Sequence, residues 1–307
     1  MTTRVILDTD IGTDVDDLLA LALILQSPEL QLEGVTCVYG DVDLRARMVR
    51  KVLRLYGRAD VPVYAGMRRT LMGLRDIYWA GHEGVGLLEP EDNALTATPG
   101  DAVDYLVQTV TENPGAIHVI AIGPLTNIAM AFLREPRLAQ GLAHLTIMGG
   151  VVRSGQRLDL PYAEHNIICD AEAAHVVMTS GAPITLVPLD VTTRVRIRPE
   201  DTARIHAGGT AFHAAVAGQV EAYPPFAHRR WTHLHDPLAV AVMLQPDLVT
   251  LVDVHVDVET SGRYSYGATL MHMPSEYYPA NARVALEVDA PRFEAFLTER
   301  LAQPIAL

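Results

Sequence analysis

RVILDTDIGTDVDDLLALALIL, residues 4–25, is the stretch on which the fold turns. A short β-branched run, Arg4 to Leu7, reads as a strand, and Leu18 to Leu25 reads as an apolar helix. Between them stand Asp8, Asp10, Asp14, Asp16 and Asp17, five carboxylates in ten residues at the point where the chain enters its core. Crowding like charges there costs repulsion, and burial raises the cost. Two remedies are available. A helix N-terminus favours carboxylates, so Asp14 or Asp16 can serve as an N-cap. That accounts for one or two acids, not five. A hard divalent cation accounts for more, because Ca²⁺ takes roughly 6–8 oxygen ligands. The spacing is not that of an EF-hand loop, since Leu19 stands at the twelfth position from Asp8. A cation site here therefore needs ligands from distant segments.

Outward from this unit the strand–helix alternation continues. Strand candidates are 4–7, 32–39, 61–66, 117–123, 145–150 and 184–190, with helical patterns at 17–26, 43–56, 101–112, 124–133 and 170–180. Val103, Leu106, Val107 and Val110 follow the i, i+3, i+4, i+7 rule. Alternation of this kind predicts one α/β domain over residues 1–307, an open, mostly parallel sheet with helices on its faces. A helix-rich stretch at 199–245 is followed by strands at 249–260 and 282–289 and a last helix at 290–302, the first of these strands an antiparallel addition or hairpin partner. In open α/β sheets ligands bind outside the carboxyl ends of the strands. The polar residues at Asp8–Asp17, Asp41, Gly123–Asn127, Gly149 onward and Asp190 all follow strands, so they converge on one edge.

Composition removes several function classes. The net charge is −13, which argues against nucleic acid or an anionic membrane as partner. Lys51 is the one lysine, so there is no P-loop, and a Schiff-base lysine is disfavoured. No GxGxxG follows the first strand. No apolar run reaches the roughly 18 residues of a membrane span, and the chain enters a strand at once, which leaves no room for a signal peptide. Cys37 and Cys169 read as unpaired thiols, and a cytoplasmic location is the default expectation.

Four further segments carry polar residues with alternative readings. HLHDPLAVA, 233–241, puts His235, Asp236 and Pro237 before an apolar helix, where Asp as N-cap and Pro at N1 is an ordinary helix start. PYAEHNIICDAEAA, 161–174, places Glu164 and Asn166 in a loop before a helix capped by Asp170. IGPLTNIA, 122–129, offers Thr126 and Asn127 as caps or carbonyl ligands. YWAGHEGVG, 78–86, sets Trp79 and His82 among glycines, either as a lid over a pocket or as an exposed loop.

As a set, DTDIGTDVDD, VTCVYGD, AIGPLTNIA, IMGG, AEHN and HDPLAVA resemble, in order, the motifs of the inosine–uridine type nucleoside hydrolases, metal-dependent N-ribohydrolases, over residues 4 to about 300. The resemblance implies hydrolysis of the N-glycosidic bond of ribonucleosides and a Ca²⁺ cofactor. Asp10, Asp17, the Thr126 carbonyl and Asp236 become the metal ligands and Asp10 the general base for the metal-bound water. Asp16, Glu164 and Asn166 become the sugar ligands. His235 faces the leaving base, with His82 a second candidate acid. Asp41, Trp79 and Trp231 join the substrate-binding set, and Tyr223 is a further aromatic able to stack a base. The partner is a small nucleoside, with no nucleic acid or membrane, and the chain is expected to form a homodimer or homotetramer. A member repurposed to bind ribosylated ligands is the alternative; a DxD-type phosphohydrolase is disfavoured.

The sequence departs from the family at three places. The family's acidic motif is DxDPGxDD, two residues shorter than DTDIGTDVDD; aligning Asp16-Asp17 with its DD leaves Asp8 and Asp14 to structure. Asp41 stands where Asn is common. Gln156 or Asp159 takes the place of a sugar-binding Asn.

Overall fold

In the chain's computed structural model, which describes residues 2–73, 75–153 and 157–305, β1 (Thr3–Thr9) leads through the acidic loop into α1 (Asp16–Leu25). There follow β2 (Leu30–Cys37), α2 (Val42–Tyr56), β3 (Val63–Ala65), α3 (Ala102–Glu112), β4 (Ile117–Ala121), α4 (Thr126–Arg134), α5 (Leu138–Gly141) and β5 (His144–Met148). The middle of the chain gives α6 (His165–Cys169), α7 (Ala171–Met178), β6 (Ile184–Val187), α8 (Leu189–Thr192), β7 (Arg196–Ile197), α9 (Pro199–His206), α10 (Ala211–Ala222) and α11 (Pro224–Arg229). It closes with β8 (Thr232–His233), α12 (His235–Leu244), β9 (Val249–Val258), β10 (Thr269–His272), β11 (Ala282–Val288) and α13 (Ala290–Leu301). No helix among the described residues is long and apolar enough to cross a membrane.

Nine strands form one sheet in the order β10-β9-β11-β6-β5-β4-β1-β2-β3. β3, β2, β1, β4, β5, β6 and β11 are parallel neighbours, while β9 runs antiparallel to β11 and to β10. The central strands are apolar on both faces, as a sheet covered by helices requires: Val5, Ile6 and Leu7 are all fully buried. From β1 the chain winds outward through β2 and β3, then returns to the other side of β1 with β4. The crevice beyond β1 and β4 is therefore the topological switch point, the place where such sheets bind ligands.

Several expectations shift in detail. The strand expected at 184–190 ends at Val187, and Asp190 sits buried in α8, accepting a hydrogen bond from Val152 N at 2.7 Å. The helix over 170–180 is preceded by a separate one, α6, because Asp170 leaves helical geometry at φ −147° to cap α7 through Ala173 N. The helix-rich stretch contains the short strand β8, which pairs with β7 just ahead of the stretch, and β10 adds an unexpected edge strand. Neither Asp14 nor Asp16 caps α1. Its N-cap is Val15, which makes no side-chain cap, while Asp14 accepts from Val15 N at 2.6 Å. Asp236 is not a cap either, since α12 begins one residue earlier. Cys37 and Cys169 are both free and buried.

Candidate active site

The loop after β1 is clamped at both ends. Asp8, fully buried, accepts hydrogen bonds from Thr36 Oγ1 of β2 at 2.5 Å and from Asn127 Nδ2 of α4 at 2.7 Å. Asn127 also donates to Cys37 O and accepts from Met67 N at 2.8 Å, so one amide joins β1, β2 and the loop after β3. Gly66 must be glycine there, since a Cβ would stand 2.4 Å from the Asn127 Oδ1. At the other end of the loop, Thr9 Oγ1 donates to Asp17 at 2.5 Å, and Asp16 accepts from the backbone N–H of Asp236 at 3.1 Å.

These clamps deliver a cavity of about 540 Å³ lined by Asp10, Asp14, Asp16, Asp17, Glu164, Asn166, His235 and Asp236. Tyr78, His165, Ile168, Met148 and Tyr223 complete much of its wall. Carboxylate oxygens of Asp16, Asp17 and Asp236 all lie within 4.8 Å of one another. Asp10 stands beside this triad rather than in it, pressed against Gly123, whose Cβ would meet the Asp10 Oδ1 at 2.8 Å.

Burial drives the electrostatics. Desolvation lifts Asp16, Asp17 and Asp236 well above the usual carboxylate range, and each is raised further by its acidic neighbours. Asp10 is raised by burial too, with Arg45 and His165 opposing. Arg45 is fully buried and reaches to within 3.8 Å of Asp10. Its guanidinium is already committed to the Tyr39 and Ile11 carbonyls and to Thr13 Oγ1. Arg45, already shared among these acceptors, and the His165 ring set against four buried acids leave a site of hard oxygen donors short of positive charge, and that donor set fits a hard divalent ion.

Glu164 caps α6 with both oxygens, accepting from Asn166 N at 2.9 Å, Ile167 N at 3.1 Å and Gly150 N at 3.2 Å. Asn166 Nδ2 donates to Ile122 O at 2.8 Å, which ties α6 to the end of β4. His235 Nδ1 is paired with Thr192 Oγ1 at 2.7 Å, and burial lowers the basicity of the ring.

The other anticipated residues lie around this cavity or away from it. Thr126 opens α4 and is buried, with its hydroxyl donating to Asp170 at 2.6 Å. His82 lines a small adjoining cavity of about 60 Å³ that shares Asp14 and Tyr223 with the large one, and its Nε2 is 3.1 Å from Thr13 O. Asp41 caps α2 through Leu44 N at 3.0 Å and is absent from the cavity wall. Trp79 packs on Gly40 and under Arg45, and Trp231 sits beside Arg196; neither lines the cavity. Gln156 falls outside the described residues, while Asp159 is paired with Arg157 at 2.8 Å. His165 and Arg45 were not anticipated, and Tyr78 was expected only as part of the candidate lid 78–86. The signal for His165 was its place between Glu164 and Asn166; for Arg45 it was an arginine on the apolar face of α2.

The family model of inosine–uridine preferring nucleoside hydrolases matches residues 5–295. The chain belongs to this nucleoside hydrolase family. It is 36% identical to the pyrimidine-specific ribonucleoside hydrolase RihA of Citrobacter koseri, with 98% of this chain and 99% of that protein covered. A plant nucleoside hydrolase superposes with a TM-score of 0.87 at 31% identity, covering 99% of this chain and 100% of that one. The purine-preferring ribonucleoside hydrolase of Gardnerella vaginalis gives 0.87 at 29% identity, with 98% of each chain covered. The nucleoside hydrolase described here is accordingly an enzyme that cleaves the N-glycosidic bond of ribonucleosides.

Proposed function

We propose that Asp10, Asp17, Asp236 and the Thr126 carbonyl hold a Ca²⁺ ion in this nucleoside hydrolase, with Asp10 as general base. Bound there, the ion would supply an electrophile that acidifies water and an anchor for the ribose hydroxyls. Asp10 takes a proton from water as its oxygen attacks C1′. The C1′–N bond breaks with its electron pair leaving on the base, and His235 supplies the proton that makes the base neutral. Asp16, Glu164 and Asn166 hold the ribose. Carboxylates around the sugar favour the positive charge that develops as the bond opens. His82, in the adjoining cavity, is the second candidate for that proton donor.

The observation that carries this reading is the gathering of buried Asp10, Asp16, Asp17 and Asp236 around one cavity, with Arg45 and His165 beside Asp10 to offset them. The Asp16–Asp17–Asp236 triad favours a second assignment, in which Asp16 is a ligand of the ion rather than of the sugar. The test is release of free ribose from purine and pyrimidine ribonucleosides, with and without a chelator. Release that a chelator stops and Ca²⁺ restores supports the proposal; turnover unaffected by a chelator refutes the metal.

A further inference from the structure

Outside the catalytic cavity, one cluster of cationic side chains lacks acidic partners. β7 and β8 pair antiparallel with Arg196 opposite His233 and Ile197 opposite Thr232. Opposite residues share a face, and alternate residues along a strand do too. Ile197 and Thr232 turn inward, at 1% and 6% exposure, so Arg196, His233 and Trp231 occupy the outer face. The Arg196 guanidinium lies 4.1 Å from the Trp231 ring centre, and that of Arg229, at the end of α11, lies 5.7 Å from it. The His233 ring meets Trp231 edge-on at 4.9 Å.

Two buried polar atoms in this cluster, Arg196 Nε and His233 Nδ1, have no hydrogen-bond partner. Among the described residues, Arg196, Arg229 and Arg230 form no ion pair, although the flanking Arg194 and Arg198 are paired with Glu287 at 2.5 Å and Glu294 at 2.7 Å. In a chain of net charge −13, unpaired guanidiniums grouped around one tryptophan are not the average surface. Unmade hydrogen bonds on buried donors are costly, and planar guanidiniums match the oxygens of phosphate. Burial, with His235, Arg196 and Arg229 adding to it, lowers the basicity of His233, whose ring is hydrogen-bonded to the Val195 backbone.

We propose that the outer face of the β7–β8 ladder, formed by Arg196, Arg229, Trp231 and His233, is an oxyanion site for a phosphate group. Its source is either free inorganic phosphate or the phosphoryl end of a nucleotide. The site is separate from the catalytic cavity but adjoins it, because the His233 ring stands 5.2 Å from that of His235.

The test is titration of the intact enzyme with inorganic phosphate at constant ionic strength, read by calorimetry and by Trp231 fluorescence in a Trp79→Phe background. One saturable site is expected, weakened about tenfold or more by Arg196→Gln and by Arg229→Ala, the loss expected on removing a charge-assisted hydrogen bond. Arg229 is exposed, so its variant reports on binding even if Arg196→Gln perturbs the ladder. Saturating ribose or uridine should leave phosphate binding unchanged. Uridine 5′-monophosphate that displaces phosphate and binds more tightly assigns the site to nucleotides; equal affinity assigns it to free phosphate. The absence of saturable binding, equal affinity in both variants, or displacement by ribose or uridine overturns the proposal.

Discussion

The backbone N–H of Asp236 donates to the carboxylate of Asp16 at 3.1 Å, joining the starts of α12 and α1 across 220 residues. This bond makes Asp16 a keystone of the acid cluster whichever ligand it serves, and it gives the two assignments of Asp16 different consequences. Asp16→Asn keeps an oxygen for the Asp236 amide but removes a charge. If Asp16 holds the sugar, KM for nucleosides rises and Ca²⁺ affinity, measured by calorimetry, stays put. If it is a metal ligand, Ca²⁺ affinity falls by about tenfold or more, as expected for losing a carboxylate ligand.

Asp10→Asn should lower ribose release by about 10²–10⁴-fold, the usual contribution of a positioned general base. The fold should survive, because Asn keeps the side-chain volume beside Gly123 and removes one buried charge. Circular dichroism and the melting temperature of the metal-free protein check this. Turnover close to the wild-type rate would remove Asp10 from the role of base.

Metal removal should loosen the protein as well as silence it. Burial raises the proton affinity of Asp16, Asp17 and Asp236, repulsion from neighbouring carboxylates adds to it, and a cation relieves that repulsion. Ca²⁺ at about a hundred times its dissociation constant would add about 2.7 kcal/mol by mass action. Melting temperatures measured in chelator and in rising Ca²⁺ should therefore climb together with activity. A melting temperature indifferent to Ca²⁺ would count against the site.

Asn127 offers a test at a distance from the chemistry. Replacing it by Ala strips partners from buried Asp8 and from the Met67 N–H, which should cost about 2–4 kcal/mol. Urea unfolding would register the loss. A change below about 1 kcal/mol would mean that water fills the gap.

Acid should weaken the far side of the sheet. His144, bonded to Thr185 Oγ1 at 2.8 Å, is pushed down to about 4 by burial, with Arg283 and His118 adding to the effect. The unfolded chain thus takes up its proton first. The contribution of the neutral ring is complete above about pH 6.5 and fades as pH falls toward 4. Because the ring is partly exposed, solvent screening reduces its share to about 1 kcal/mol. Stability measured from pH 7 to 4 should fall less in His144→Asn than in the wild type.

Much of this architecture is written locally. Strands ending at Thr9, Ala121 and Met148, each followed within three residues by glycine, announce a parallel sheet with a working edge. The periodicity of α3 announces a buried stripe. What stayed illegible depends on which way side chains face. Arg45 lies on the apolar face of an amphipathic helix, where pattern alone reads a polar outlier and its carbonyl partners are invisible. Trp79 and Trp231 are aromatic and near the site in sequence, yet stacking beside arginines keeps them off the cavity wall. The β7–β8 ladder has two residues per strand, too few for alternation to register. The split between α6 and α7 follows from one backbone excursion at Asp170, which looks from sequence like an ordinary cap.

The loop after β1 is pinned by Asp8 at one end and by Asp16 and Asp17 at the other. Only the arch from Ile11 to Val15 spans the gap, with Arg45 bracing Ile11 and Thr13 from beneath. A span hung between fixed piers can lengthen without moving either. Counting positions between these aspartates is therefore a poor ruler for the distance between their carboxylates.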